Sequence, residues 1–404
     1  DTANESILLF GVDSPSPSIT NYCRPAGYGP RSSEIEVRCV CPTSGIIKNL
    51  YVQLSQDPGV APDAYTITLR LNGATVAQSS IVTIVADDRT GNDVAHNLAV
   101  VASDVLTVMI TPTGDPDILG VAMGLTFVAA IDGESLILGG SFNPYDNTAT
   151  EYNHLTGTVE SPWTVTEAER YQLAQKCTLK KLYVLLDAAP GAGNKFTFTV
   201  RKNAASPSGG LVVEIADAAT TGNDTTNTIT VVNDDELDLM CVPTNTPTGG
   251  RAYWGLVGSP PPPYTPENKS ANMGSKMVAA ELVATTEAPT QCLTRMAFVA
   301  KNFFVNVQAN DTNGTRIVNA RKNGGDGNLS VSIGAAATGF FEDLGNSDTL
   351  IATDLYNYKL GTGGTSGDIA LGAVGFEQEQ PAPPVGIENK SANMGSKMVA
   401  ANLI

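Results

Sequence analysis

The side chains able to carry acid–base or metal chemistry are few and scattered. Only two histidines occur, His96 in NDVAHNLAV and His154 in TEYNHLTG. Nucleophilic catalysis needs a base held by a partner and set beside a nucleophile, and neither segment supplies such a motif. No GxSxG, Walker A, GxGxxG or HExxH run is present. Both histidines are therefore read as exposed polar residues. No catalytic residue and no cofactor site is assigned, and the chain is expected not to be an enzyme. Acidic and amide residues gather at Asp87, Asp88, Asn92 and Asp93 and again at Asn223 and Asp224. Calcium asks for about six to eight oxygens, which two or three side chains do not provide, so these clusters read as Asx turns and no metal site is assigned.

Six cysteines, Cys23, Cys39, Cys41, Cys177, Cys241 and Cys292, form no CxxC pair. Cys39 and Cys41 flank Val40 on a strand-like run and share a face; the set reads as buried thiols or an incidental disulfide. Trp163 and Trp254 sit in strand contexts and are expected in the core. Of the Asn-X-Ser/Thr sequons, Asn268 and Asn389 are the candidate glycosylation sites, because both lie in a segment that the chain writes twice.

That segment is ENKSANMGSKMVAAELV at 267–283, which returns as ENKSANMGSKMVAANLI at 388–404 with 15 of 17 positions unchanged. The first copy follows Pro260–Pro263 and leads into further strand-like sequence. The second follows Pro381, Pro383 and Pro384 and closes the given sequence.

The elements that would position any site are strands. Gly 39 and Pro 24, with frequent Thr, Asn, Asp and Ser, favour short strands and turns over helices. No apolar run reaches the roughly 18 residues of a spanning helix. With 24 basic against 41 acidic residues, net −17, the surface disfavours nucleic acid. The chain begins at Asp1, as a chain relieved of a leader would.

Two copies of one pattern overlay closely. IKNLYVQL (47–54), YTITLRLNG (65–73), TGND (90–93), DVLTVMITPTG (104–114) and VAMGLTFV (121–128) return as LKKLYVLL, FTFTVRKNA, TGND, DELDLMCVPTN and AYWGLVG. Arg201 minus Arg70, Thr221 minus Thr90, Met240 minus Met109 and Gly255 minus Gly124 all equal 131, a tandem duplication. A drifted third copy is read in LTRMAFVA (293–300), TRIVNARKNG (315–324), SDTLIATDL (347–355) and IALGAVGF (369–376). TGND is missing there and FFEDLGN (340–346) fills its region.

Period-two alternation in Tyr65, Ile67, Leu69 and Leu71 predicts strands with one dry face, as in antiparallel sandwiches. Asn-Gly at 72–73 and 323–324 predicts tight hairpins. TEAERYQLAQK (166–176) carries helix formers, but its counterpart SSEIEVRCVC (32–41) alternates, so both are read as strand. The expected fold is all-β: three tandem antiparallel sandwiches, jelly-roll first and immunoglobulin-like second, with an extended C-terminal strand. The boundaries are modules at 1–131, 132–258 and 267–380, a proline-rich linker at 259–266, and a linker plus tail at 381–404. The first two modules are expected to pack rigidly, with the third on a stalk.

The run TNYCRPAGYGPRSSEIEVRCVCPTSGIIKNLYVQL, followed by YTITLRLNG, TGND and DVLTVMITPTG, resembles jelly-roll-type modules of phage virion proteins and bacterial extracellular proteins. The resemblance implies a structural role and offers no catalytic residues. The expectation is a filament subunit, extracellular or of a virion, whose tail inserts as a strand into another copy of the same chain. Met394, Gly395, Met398, Val399, Ala401, Leu403 and Ile404 are the residues expected to make that joint. The alternative is a virion appendage or receptor-binding protein that recognises cell-surface glycan.

Overall fold

Alternation along the strands translates into burial on one side. Tyr65, Ile67 and Leu69 are buried while Thr66 and Arg70 stay partly exposed, and Phe196, Phe198 and Val200 alternate with Thr197 and Arg201 in the same way. The computed structural model describes residues 5–12, 14–26, 29–118, 120–131, 133–141, 143–156, 163–174, 176–232, 235–259, 272–273, 287, 291–294, 297–361 and 367–379. Nearly all of its regular structure is strand.

The first repeat contributes β1 (Glu5–Val12), β2 (Asn21–Cys23), β3 (Cys39–Val40), β4 (Gly45–Leu54), β5 (Ala64–Leu71), β6 (Ile81–Val85), β7 (Thr90–Val100), β8 (Val105–Thr113) and β9 (Val121–Ala129). The second contributes β10 (Ser135–Gly140), β11 (Glu151–Asn153), β12 (Gln172–Leu173), β13 (Cys177–Leu186), β14 (Gly191–Lys202), β15 (Val212–Asp217), β16 (Thr221–Val231), β17 (Glu236–Thr244) and β18 (Ala252–Ser259). After these come β19 (Asn272–Met273), β20 (Cys292–Leu293), β21 (Phe298–Asn310), β22 (Arg316–Lys322), β23 (Gly325–Ile333), β24 (Gly339–Leu350), β25 (Leu355–Leu360) and β26 (Ile369–Glu379).

Pairing repeats with the sequence. One sheet runs β1-β9-β4-β7 and its counterparts run β10-β18-β13-β16 and β26-β21-β24. The other runs β2-β8-β5-β6, then β11-β17-β14-β15, then β20-β25-β22-β23. Three separate clusters of buried apolar side chains lie along the chain, centred on residues such as Phe10 and Tyr65, Phe196 and Trp254, and Phe304 and Tyr358. Trp163 and Trp254 are core, as expected.

The third repeat is built on the same plan in a different register from the one read in sequence. The counterpart of IKNLYVQL is β21, not 293–300. A bulge marks the strand in every repeat: register shifts follow Lys48, Lys180 and Lys301, where Asn49, Lys181 and Asn302 take φ of 58°, 57° and 50°. Gly375 opposes Phe304 as Gly124 opposes Tyr51 and Gly255 opposes Tyr183, so Gly375 is the aligned glycine rather than Gly372. The counterpart of DVLTVMI is β25, not 347–355. Loop drift hid this register, since composition alone does not mark a bulge.

The two segments read wholly as strand are mostly something else. Glu34–Val37 and Glu167–Arg170 are single 3-10 turns, followed by the two-residue strands β3 and β12. The Asn-Gly hairpins do form: Asn72 and Gly73 have φ of 52° and 75°, and Asn323 and Gly324 have 51° and 78°. In the second repeat Ala204 holds the glycine position at φ 57°. A left-handed alanine costs about 1–2 kcal/mol, partly offset by the greater unfolded-state freedom of glycine. Ala204→Gly is therefore expected to stabilise the chain by about 0.5–1 kcal/mol, read as a rise in the thermal midpoint.

The third repeat does not hang free. β3 of the first repeat packs on β10, β13 and β18 of the second, and β20 of the third packs on β1, β4 and β9 of the first. Leu173 of β12 joins the third apolar cluster, and the Gln308 amide donates to the Glu169 carbonyl at 2.7 Å. Val40, Leu173 and Leu293 occupy one register position, opposite Val105, Glu236 and Leu355. The same short strand thus reaches from the first repeat to the second, from the second to the third, and from the third to the first.

Candidate functional site

The polar side chains that recur in all three repeats fasten the fold. Glu34 pairs side-on with Arg70 at 2.8 and 3.1 Å, Glu167 with Arg201 at 2.8 and 3.0 Å, and Glu287 with Arg321 at 2.9 and 2.7 Å. Each guanidinium also donates to a hairpin carbonyl, that of Gly73, Ala204 or Gly324. A bidentate fork of this kind ties one segment to another with fixed geometry. In the first two repeats the acid sits on the 3-10 turn, so the pair pins that turn to the hairpin.

Next to each pair stands a cross-strand residue that differs: Thr107 opposite Arg70, Asp238 opposite Arg201 and Asn357 opposite Arg321. The Thr107 hydroxyl donates to Glu34 at 2.5 Å. Asp238 is fully buried, and its carboxyl faces that of Glu167. Burial first, and the facing Glu167 second, push its pKa up to about 9.

The TGND aspartates complete the bulge. Asp93 accepts from the backbone N–H groups of Ile81, Ala95 and His96, and Asp224 from those of Val212, Thr226 and Asn227. Asp343, in the segment where TGND is lost, accepts from Ser330, Gly345 and Asn346. Burial alone would raise these carboxyls, but the converging N–H donors hold all three below their ordinary range. The His96 ring lies 2.7 Å from Asp93 where the other repeats use Asn227 and Asn346. It remains about half exposed, with its ring engaged by the Asp93 carboxylate. Among the described residues no three His, Cys, Asp or Glu side chains are grouped to hold a metal ion.

His154 corrects the sequence reading. It is buried rather than exposed, and burial together with the nearby Arg170 guanidinium holds the imidazole neutral, well below its usual range. Cys23, Cys39, Cys41 and Cys241 are buried free thiols, and Cys177 is buried as well. Burial pushes Cys23, Cys39, Cys41 and Cys241 up, which disfavours the thiolate.

Three residues that sequence reasoning passed over hold the first repeat to the second. Arg24 is fully buried and donates to the carbonyls of Arg38, Gly140, Glu36 and Ser141, with its charge over the Tyr253 ring at 5.6 Å. Glu134 is buried between Lys180 at 2.9 Å and Lys181 at 2.7 Å and accepts from Thr43 at 2.5 Å. Burial would raise its carboxyl, but these three donors outweigh it. At Gly255 a β-carbon would stand 1.9 Å from the Val40 carbonyl oxygen. None belongs to a motif; only the contact reveals them. Beside this seam lies a cleft of about 280 Å³ lined by Glu34, Arg38, Asn72, Thr107 and Leu185, among others. Its acid is already engaged by Arg70 and Thr107.

The chain matches no protein-family model and no curated protein. The residues expected to make the assembly joint, Met394, Gly395, Met398, Val399, Ala401, Leu403 and Ile404, lie outside the described residues, as do Asn268 and Asn389. From the first copy of the duplicated segment, Asn272 and Met273 are described. They form β19 and run parallel to β1, with Asn272 opposite Leu8 and Met273 opposite Leu9.

Proposed function

We propose that the chain is a non-enzymatic structural subunit made of three tandem β-sandwich modules, polymerising through its terminal segment 388–404 as a strand supplied to another copy. The observation that carries this reading is β19: the first copy of the segment adds as a strand to the open edge of β1. The terminal copy has the same residues there, Asn393 and Met394, and so the same capacity to satisfy a sheet edge. The cyclic use of β3, β12 and β20 supports the reading as well. A repeat-to-repeat contact that closes on itself is saturated within one chain and does not propagate, which leaves assembly to a surface outside it. The engaged state of the recurring acids favours structure over catalysis.

Negative-stain imaging and sedimentation of the full chain test this directly. Wild type is expected to form filaments or long oligomers, and Val399→Asp with Leu403→Asp to remain monomeric with an unchanged thermal midpoint. Equal assembly by both chains, or by neither, ends the proposal.

A further inference from the structure

We propose that the site receiving the terminal copy is the sheet position beside β26 in a second chain. This rests on the assembly reading above and supplies its missing half. In the first repeat the opening strand β1 lies antiparallel to the closing strand β9, from Glu5 opposite Val128 to Val12 opposite Val121. In the second, β10 lies beside β18, from Ser135 opposite Gly258 to Gly140 opposite Tyr253. β26 is the closing strand of the third repeat by the alignment of Gly375 with Gly124 and Gly255. Among the described residues β26 pairs with β21 alone, so the place taken by β1 and β10 is assigned to no described strand.

Of the two nearly identical segments, 267–283 and 388–404, the first is already engaged at β1 through Asn272 and Met273. The terminal copy is the one assigned to a second chain, because it follows Pro381, Pro383 and Pro384, and proline-rich spacers favour an extended path. Its pattern suits the role: Val399, Ala401 and Leu403 alternate as the buried Leu8, Phe10 and Val12 of β1 do.

The full chain carrying Val399→Asp and Leu403→Asp, whose own tail is thereby disarmed, is mixed with a synthetic peptide of residues 388–404 and followed by hydrogen exchange with mass spectrometry. Residues 369–379 are expected to exchange at least about tenfold more slowly with peptide bound, with 5–12 and 135–140 unchanged. Protection at 5–12 or 135–140 in place of 369–379 overturns the assignment. So does a β26 already protected and unmoved by peptide, the result if 267–283 holds the place in its own chain. Filaments of wild-type chain alongside either result leave the assembly reading standing with another acceptor; their absence ends both.

Discussion

Gly255→Ala is expected to cost about 3 kcal/mol and to loosen the first repeat from the second, because the added methyl has nowhere to go. A β-carbon at Gly255 meets the Val40 carbonyl oxygen at 1.9 Å and Pro42 Cδ at 3.0 Å. Both obstacles are held by main chain, so no side-chain rotation relieves them. Val40 lies in β3, which is hydrogen-bonded to β8; moving it disturbs the first repeat's second sheet as well. Overpacking of this kind typically costs 1–3 kcal/mol, and more where the backbone must shift. Gly249→Ala is the matched control, since its β-carbon would meet the Tyr145 carbonyl at an ordinary 3.6 Å. Calorimetry should show a markedly lowered midpoint for the first variant alone, and limited proteolysis should show earlier cleavage around residues 130–134. Identical melting of the two variants would remove the claim that the repeats are seated on that glycine.

The second large effect is expected at Asp238. Its folded-state pKa is raised, to about 9 against an ordinary 3.8, so between those values the folded chain holds a proton that the unfolded chain has released. Stability from this group is fullest at the acid end, near pH 4, and falls as pH rises toward 9, by up to about 1.4 kcal/mol per pH unit. Burial sets most of the shift, Glu167 on the 3-10 turn and Glu236 on β17 add to it, and Arg201 on β14 opposes it, with Tyr152 of β11 and Tyr171 close enough to feel it. Asp238→Thr restores the hydroxyl that Thr107 supplies to Glu34. This variant is expected to gain about 3 kcal/mol at pH 8, with the gain shrinking toward pH 4. Urea unfolding at the two pH values measures it, and a gain that does not change with pH would count against a buried proton. Asp238→Asn, which copies Asn357 of the third repeat, should behave similarly.

The recurring acids show how far residue pattern alone reached. The alternation at Tyr65, Ile67 and Leu69, the Asn-Gly turns and the 131-residue offset were legible because strand burial and turn geometry act on neighbours in sequence. TGND was legible as a turn, yet its purpose was not: Asp93 serves a bulge whose other half lies on β4. TEAERYQLAQK misled for a related reason. Glu167 and Arg201 decide that segment's conformation, and they are 34 residues apart.

What the sequence by itself determined is therefore the all-β character, the duplication and the repeated segment at 267–283 and 388–404, since each depends on local periodicity or on identity between stretches. Tertiary structure alone decided that His154 is buried, that Arg24 and Gly255 hold a seam, that Asp238 sits against Glu167, and that Asn272 and Met273 run beside β1. These are contacts between residues far apart in the chain, where desolvation and close packing, rather than propensity, set the energy.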